Sequence, residues 1–158
     1  MKNKEFSLRE EYNKLSKKYD LPDFDKLNNE FELETIEREE FPLRQIRRRI
    51  VDRLIIFCKI VEEIIYPSGQ NQLINHEIRS FSEEDRKQFV ELHKKMMVYE
   101  RQSLFLNISS SKEEEDAKYI FQLFSEMDDY KLVILEVVKK MQTAWKHDLP
   151  DEEQPYFG

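Results

Sequence analysis

Only two glycines, Gly69 and Gly158, occur among 158 residues. Tight β-hairpins lean on residues that accept positive φ, glycine above all. A chain this poor in glycine is not built to close the hairpins of a β-rich fold. The five prolines (Pro22, Pro42, Pro67, Pro150 and Pro155) leave everything from Ser68 to Leu149 proline-free. Long proline-free runs are what helices require. Both observations predict an all-α fold.

Apolar periodicity places the helices. Ser7-Leu8-Arg9-Glu10 has capping-box spacing and opens a helix to about Lys18. Asp20-Leu21-Pro22-Asp23 stops it, Asp23 caps a short piece through Asn29, and residues 30–41 read as a connector. Pro42 suits a first helical turn. From there Leu43, Ile46, Ile50, Leu54, Phe57, Val61 and Ile64 recur every three or four residues on one stripe, up to Tyr66. Ile55, Cys58, Ile60 and Ile65 widen that stripe, which predicts deeper burial toward Tyr66. Residues 70–81 allow one helical turn near Leu73 to Ile78. Ser82 then caps a helix carrying Phe89, Leu92, Met96, Tyr99 and Leu104, with a break at residues 107–110. A second capping box, Ser111 to Glu114, opens a helix marked by Ala117, Ile120, Phe121, Phe124 and Met127. Asp128-Asp129 is either a kink or a new cap. Beyond it Leu132, Ile134, Leu135, Val138, Met141 and Trp145 continue a helical face.

The expected architecture is an antiparallel bundle of about four main helices, with 42–66 as the long central member and short N-terminal additions. The length fits one domain, taken as residues 1–147: an N-terminal helix and connector over 1–41, and core helices over 42–147. Residues 148–158 are expected to form a flexible acidic tail.

Composition bounds the setting. Charged side chains make up 37% of the chain, but 39% hydrophobic content argues for a packed core rather than disorder. Cys58 is the only cysteine, so no intrachain disulfide can form, which suits a reducing compartment. No apolar run follows Lys2 and Lys4, and the most apolar stretch, Ile50 to Tyr66, is interrupted by five charges. Neither a secretory signal nor a membrane span is expected. These features predict a soluble cytoplasmic protein.

No constellation carries recognisable chemistry. A carboxylate-bridged metal site in a bundle needs Glu-x-x-His pairs, and the residues three before His76, His93 and His147 are Leu73, Val90 and Ala144. Cys58 lies among Ile55, Phe57 and Ile60, where a thiol is buried and inert. Two glycines rule out a glycine-rich phosphate loop. The expectation is therefore no enzyme, no cofactor and no metal.

One segment departs from the acidic background. The chain carries a net charge of −7, yet residues 42–66 hold six basic against three acidic side chains. Arg44, Arg47 and Arg48 are read as one helix face, with Arg49 and Arg53 flanking the apolar stripe on its other side. Guanidinium forks grip carboxylates and phosphates alike. The first expectation is neutralisation by the chain's own acids, with Glu37, Glu39 and Glu40 immediately upstream. An acidic protein partner comes next, and a nucleic acid after it. Asp-Leu-Pro-Asp occurs twice, at Asp20 to Asp23 and at Asp148 to Asp151, in both cases as a helix stop and proline turn. Tyr156 and Phe157 close the acidic segment and are candidates for docking in a groove.

Leu21-Pro22-Asp23-Phe24, Phe31-Glu32 and Leu43-Arg44-Gln45-Ile46-Arg47-Arg48 resemble small all-helical archaeal proteins of unknown function. The resemblance covers most of the chain, implies an intracellular prokaryotic origin, and names no activity, ligand or site. The sequence as a whole predicts a non-enzymatic module acting through a protein partner or self-association. The alternative is a nucleic-acid-associated factor using the Arg44–Arg53 face.

Overall fold

In the computed structural model, which describes residues 7–37, 40–69 and 72–147, the chain is all-α. The helices are α1 (Leu8–Tyr19), α2 (Phe24–Phe31), α3 (Pro42–Ile65), α4 (Gln72–Ile78), α5 (Glu83–Ile108) and α6 (Glu113–Ala144), with a 3-10 turn at Leu33–Thr35. No strand occurs among the described residues.

Local chemistry starts and stops these helices largely as expected. Ser7 Oγ accepts the Glu10 amide of α1. At the other end Asp20 takes the left-handed conformation, and the Asp20 and Leu21 amides both return to the Ser16 carbonyl. Asp23 stands at the start of α2, but its side chain makes no capping bond, and the helix runs to Phe31. At α5 the box is reciprocal: the Asp85 amide donates to Ser82 Oγ at 3.0 Å and the Ser82 amide to Asp85 Oδ2 at 2.9 Å. At α6 the box is shifted by one residue. The Lys112 amide donates to Glu115 Oε2 at 2.7 Å, which leaves the Ser111 hydroxyl for another partner. Asp128-Asp129 neither caps nor ends anything, because α6 passes straight through it.

The described helices form two compact units. The first comprises residues up to Ile55 together with Val98–Met127; the second comprises Ile56–Met97 and the chain from Asp128 onward. In the first unit α2 folds back on α1: Tyr12 donates to the Pro22 carbonyl at 2.6 Å, its ring lies 5.6 Å from that of Phe24, and Arg9 reaches Asp25 and Glu34. Leu27, Phe31 and Leu33 join Leu43, Ile46, Ile50, Leu54, Tyr119, Ile120 and Leu123 in its core. In the second unit Phe57, Cys58, Val61 and Ile64 are buried, as are Ile78, Phe81, Phe89, Met96, Tyr130, Ile134, Val137 and Ala144. There His76 Nε2 donates to the Ala144 carbonyl at 2.8 Å and Trp145 Nε1 to Glu77 Oε1 at 2.6 Å, so α4 satisfies a carbonyl at the end of α6.

All seven residues of the α3 stripe are buried. The expectation of a more deeply buried Tyr66 end is corrected. Ile55, Ile60 and Ile65 sit at the margins of the stripe, half-buried, and Ile56 and Tyr66 are exposed. The face of α6 is corrected too. Its inward line runs Asp116, Tyr119, Ile120, Leu123, Met127, Tyr130, Ile134 and Val137, while Phe121, Leu132, Leu135 and Val138 face solvent.

Candidate functional site

The arginine-rich turn of α3 in the first unit is where the structure is least ordinary. Arg47 follows Leu43 by four residues and precedes Ile50 by three, so helical geometry sets it on the buried stripe rather than beside it. Its side chain is 0% exposed. Nε donates to Asp116 Oδ1 at 2.6 Å, Nη1 to the Ser103 carbonyl and hydroxyl at 3.1 and 2.5 Å, and Nη2 to Asn107 Oδ1 at 2.8 Å. The guanidinium also lies 5.9 Å from the Tyr119 ring centroid. Asp116, itself buried, accepts a second bond from the Ser111 hydroxyl at 2.8 Å, which is why that serine does not cap α6. A charge without water must be paired and hydrogen-bonded, and here α3, α5 and the start of α6 supply the partners together.

Arg47 is therefore corrected from a candidate partner or phosphate contact to an internal strut. Self-neutralisation holds for it, though through Asp116, 69 residues along the chain, and not through the neighbouring Glu37 or Glu40. Arg44 lies close to the same carboxylate, with Nε 3.9 Å from Asp116 Oδ2, and Nη2 donates to the Ser111 carbonyl at 2.6 Å. Its guanidinium stacks 4.4 Å over the ring of Phe41, a residue held at φ 53 just before Pro42.

The remaining arginines bond to uncharged acceptors. Arg48 Nε donates to Asn107 Oδ1 at 3.2 Å, Arg49 Nη2 to Thr35 Oγ1 at 2.9 Å, and Arg53 Nη2 to the Glu30 carbonyl at 3.2 Å. Asn107 is thus shared: Arg47 fixes its oxygen from inside, and that oxygen orients Arg48 outside. Arg48 and Arg49 line an open polar cleft of about 620 Å³ with Thr35, Ile36, Glu37, Gln45, Asp52 and Asn107. Two positioned guanidinium groups and two carboxylates make this cleft charge-balanced, not cationic.

Beside it, the last turns of α5 carry an apolar stripe in water. Val98, Phe105 and Ile108 are 67%, 67% and 78% exposed, and Leu104 is 48% exposed. At 100° per residue they lie within about 120° of one helix face. Asn107 of the cleft is adjacent to Ile108 in the chain. Behind these groups, burial pushes the Tyr119 phenol well above its ordinary range, against the pull of Arg47. The Tyr99 phenol rises to about 12 through burial and its bond to Glu126. Tyr119 donates to the Tyr99 carbonyl at 2.8 Å.

In the second unit His93 Nε2 lies 3.0 Å from Glu62 Oε1, beside a depression of about 330 Å³ lined by Lys59, Glu62, Glu63, Tyr66, Ser68 and Ile74. Cys58 is buried. Among the described residues no group of three or more His, Cys, Asp or Glu side chains is placed to hold a metal ion. Among the described residues no helix is long and apolar enough to cross a membrane. Tyr156, Phe157 and the remainder of 148–158 lie outside the described residues.

No family model, curated protein or solved structure matches the chain.

Sequence reasoning found the arginines but missed Asp116, Ser103, Asn107 and Ser111. The signal was present: Asp116 precedes Tyr119 by three residues and Ile120 by four, so it shares their face. Its neighbours Glu113, Glu114 and Glu115 are exposed, so a run of four acids at the start of a helix hides the one that turns inward.

Proposed function

We propose that the protein is a non-enzymatic helical module that works by protein contact, as a subunit of an assembly or as a homo-oligomer. The observation that carries this reading is the apolar stripe Val98, Leu104, Phe105 and Ile108 on α5. Exposed apolar residues gathered on one face, when they form a large contiguous patch, mark interaction sites. The Arg48–Arg49 cleft adds polar specificity at its margin, and the reading includes a reducing, cytoplasmic setting and the archaeal affinity suggested by residues 21–48.

The test is sedimentation velocity over a wide concentration range, joined to affinity capture from the native lysate, for the wild type and for Phe105→Glu/Ile108→Glu. Loss of self-association or of a specific captured protein in the variant supports the reading. A monomeric wild type whose captured proteins are unchanged by the variant overturns it.

The second reading is a nucleic-acid-associated factor. What favours it is the pair Arg48 and Arg49, whose hydrogen bonds among the described residues go to the neutral acceptors Asn107 and Thr35. Against it stand Arg47, withdrawn into the core, and Glu37 and Asp52 in the same cleft. Labelled RNA and DNA at about 50 mM salt decide it: binding that falls steeply with salt and is lost in Arg48→Glu/Arg49→Glu establishes this reading instead.

A further inference from the structure

The cleft of the first unit brings together two charges of each sign that do not pair with one another. Arg48, Arg49 and Asp52 lie along α3, and Glu37 follows the 3-10 turn that carries Thr35. Asp52 follows Arg48 by four residues and Arg49 by three, the spacings at which side chains on a helix reach one another. Among the described residues neither arginine pairs with it, and Glu37 makes no ion pair either. An arginine N-terminal to its acid makes the weaker of the two helical pairings. Here a neutral acceptor takes each guanidinium instead.

Both acceptors are fixed by a second bond. Asn107 Oδ1 is held by Arg47 Nη2 at 2.8 Å from the core side, and it receives Arg48 Nε at 3.2 Å. Thr35 Oγ1 donates its own proton to the Glu32 carbonyl at 2.7 Å, which leaves its lone pairs for Arg49 Nη2 at 2.9 Å. Each of these bonds uses one nitrogen of a fork that has five N–H donors. The other donors of both forks border an open cleft of about 620 Å³, a volume in the range of small-molecule sites. A bare anion gains from the arginines but is repelled by Asp52 and Glu37, and a bare cation meets the reverse. A molecule that carries both signs suits all four groups.

We propose that this cleft binds a small zwitterion, its oxyanion gripped by Arg48 and Arg49 and its ammonium facing Asp52 and Glu37. The site does not depend on the α5 stripe, so either can fail and leave the other standing. It also departs from the nucleic-acid reading, because a polyanion offers nothing to the two carboxylates.

The test is a titration of the full chain followed by the arginine Nε–H signals in nitrogen–proton NMR, with calorimetry for affinity. The probes are γ-aminobutyrate and phosphoethanolamine, compared with their single-charge counterparts acetate, inorganic phosphate and ethylamine. At least one zwitterion should bind saturably, shift the Arg48 and Arg49 signals, and bind at least about tenfold more tightly than any single-charge probe. Whichever of the two binds more tightly identifies the oxyanion as carboxylate or phosphate. Arg48→Gln/Arg49→Gln should abolish binding, and Asp52→Asn should reduce the zwitterion to the affinity of its anionic counterpart. Asp52 is exposed and the arginines are half-buried, so the core is untouched, and far-UV circular dichroism confirms that each variant is folded. Phosphate binding as tightly as phosphoethanolamine, or an Asp52→Asn variant that binds as the wild type does, overturns the proposal in favour of a plain anion site. Absence of saturable binding by both zwitterions up to about 10 mM overturns it altogether.

Discussion

Replacing Arg47 with alanine tests the central structural claim, that one arginine of five is a core residue. The change removes every bond the guanidinium makes to Asp116, Ser103 and Asn107. It leaves a buried carboxylate whose remaining cation, Arg44, stands 3.9 Å away. Breaking a buried pair by removing one partner typically costs about 3–5 kcal/mol, against a total stability of about 5–15 kcal/mol for a folded domain. For a chain of this length that is a fall in Tm of roughly 6–20 °C. Arg48→Ala and Arg49→Ala each remove one bond to a neutral acceptor at a half-buried site, and about 1 kcal/mol is expected for either. Asp116→Asn keeps the shape and strands the arginine, so it should resemble Arg47→Ala. In the double variant the two losses should fall short of their sum, because the second change removes a group already stranded by the first. Urea unfolding at neutral pH, followed by far-UV circular dichroism, reads all five. A cost for Arg47→Ala below about 1 kcal/mol, or no larger than for Arg48→Ala, would refute the reasoning.

Three further outcomes follow from single features. Ser82→Ala removes half of the reciprocal box at the start of α5 and should cost about 1 kcal/mol in the same assay. Tyr12, Tyr99 and Tyr119 have phenol pKa values raised by burial, Tyr99 to about 12, against about 10 in an unfolded chain. A pKa raised by folding gives stability that is whole below the unfolded value and lost as pH climbs past it, so the urea midpoint should fall between about pH 9.5 and 11.5. Phenolate absorbance should show these three tyrosines titrating late, and a native titration with all seven in the ordinary range would contradict the burial. Cys58 should react with a thiol reagent only as the chain unfolds; fast reaction in the native state would place it at the surface.

What the sequence determined by itself was local. Helix period, proline and glycine placement and short-range caps set α1, α3 and α5 nearly to the residue, because each rests on groups within a few positions of one another. The α3 stripe was legible in full for the same reason: seven apolar residues at three- and four-residue spacing leave one face to bury. The tertiary structure decided the rest. An equally regular apolar series on α6 proved to have Leu132, Leu135 and Val138 outside, since a helix with apolar residues on several sides does not say which side meets its neighbours. The tertiary structure also decided which arginine is a strut and which can meet a partner. Arg47 is buried because Asp116, 69 residues away, arrives with Ser103 and Asn107 to replace its water. Spacing along one helix could mark Arg47 as sitting on the buried face. Only packing three helices together could show that the face had a charge ready to receive it.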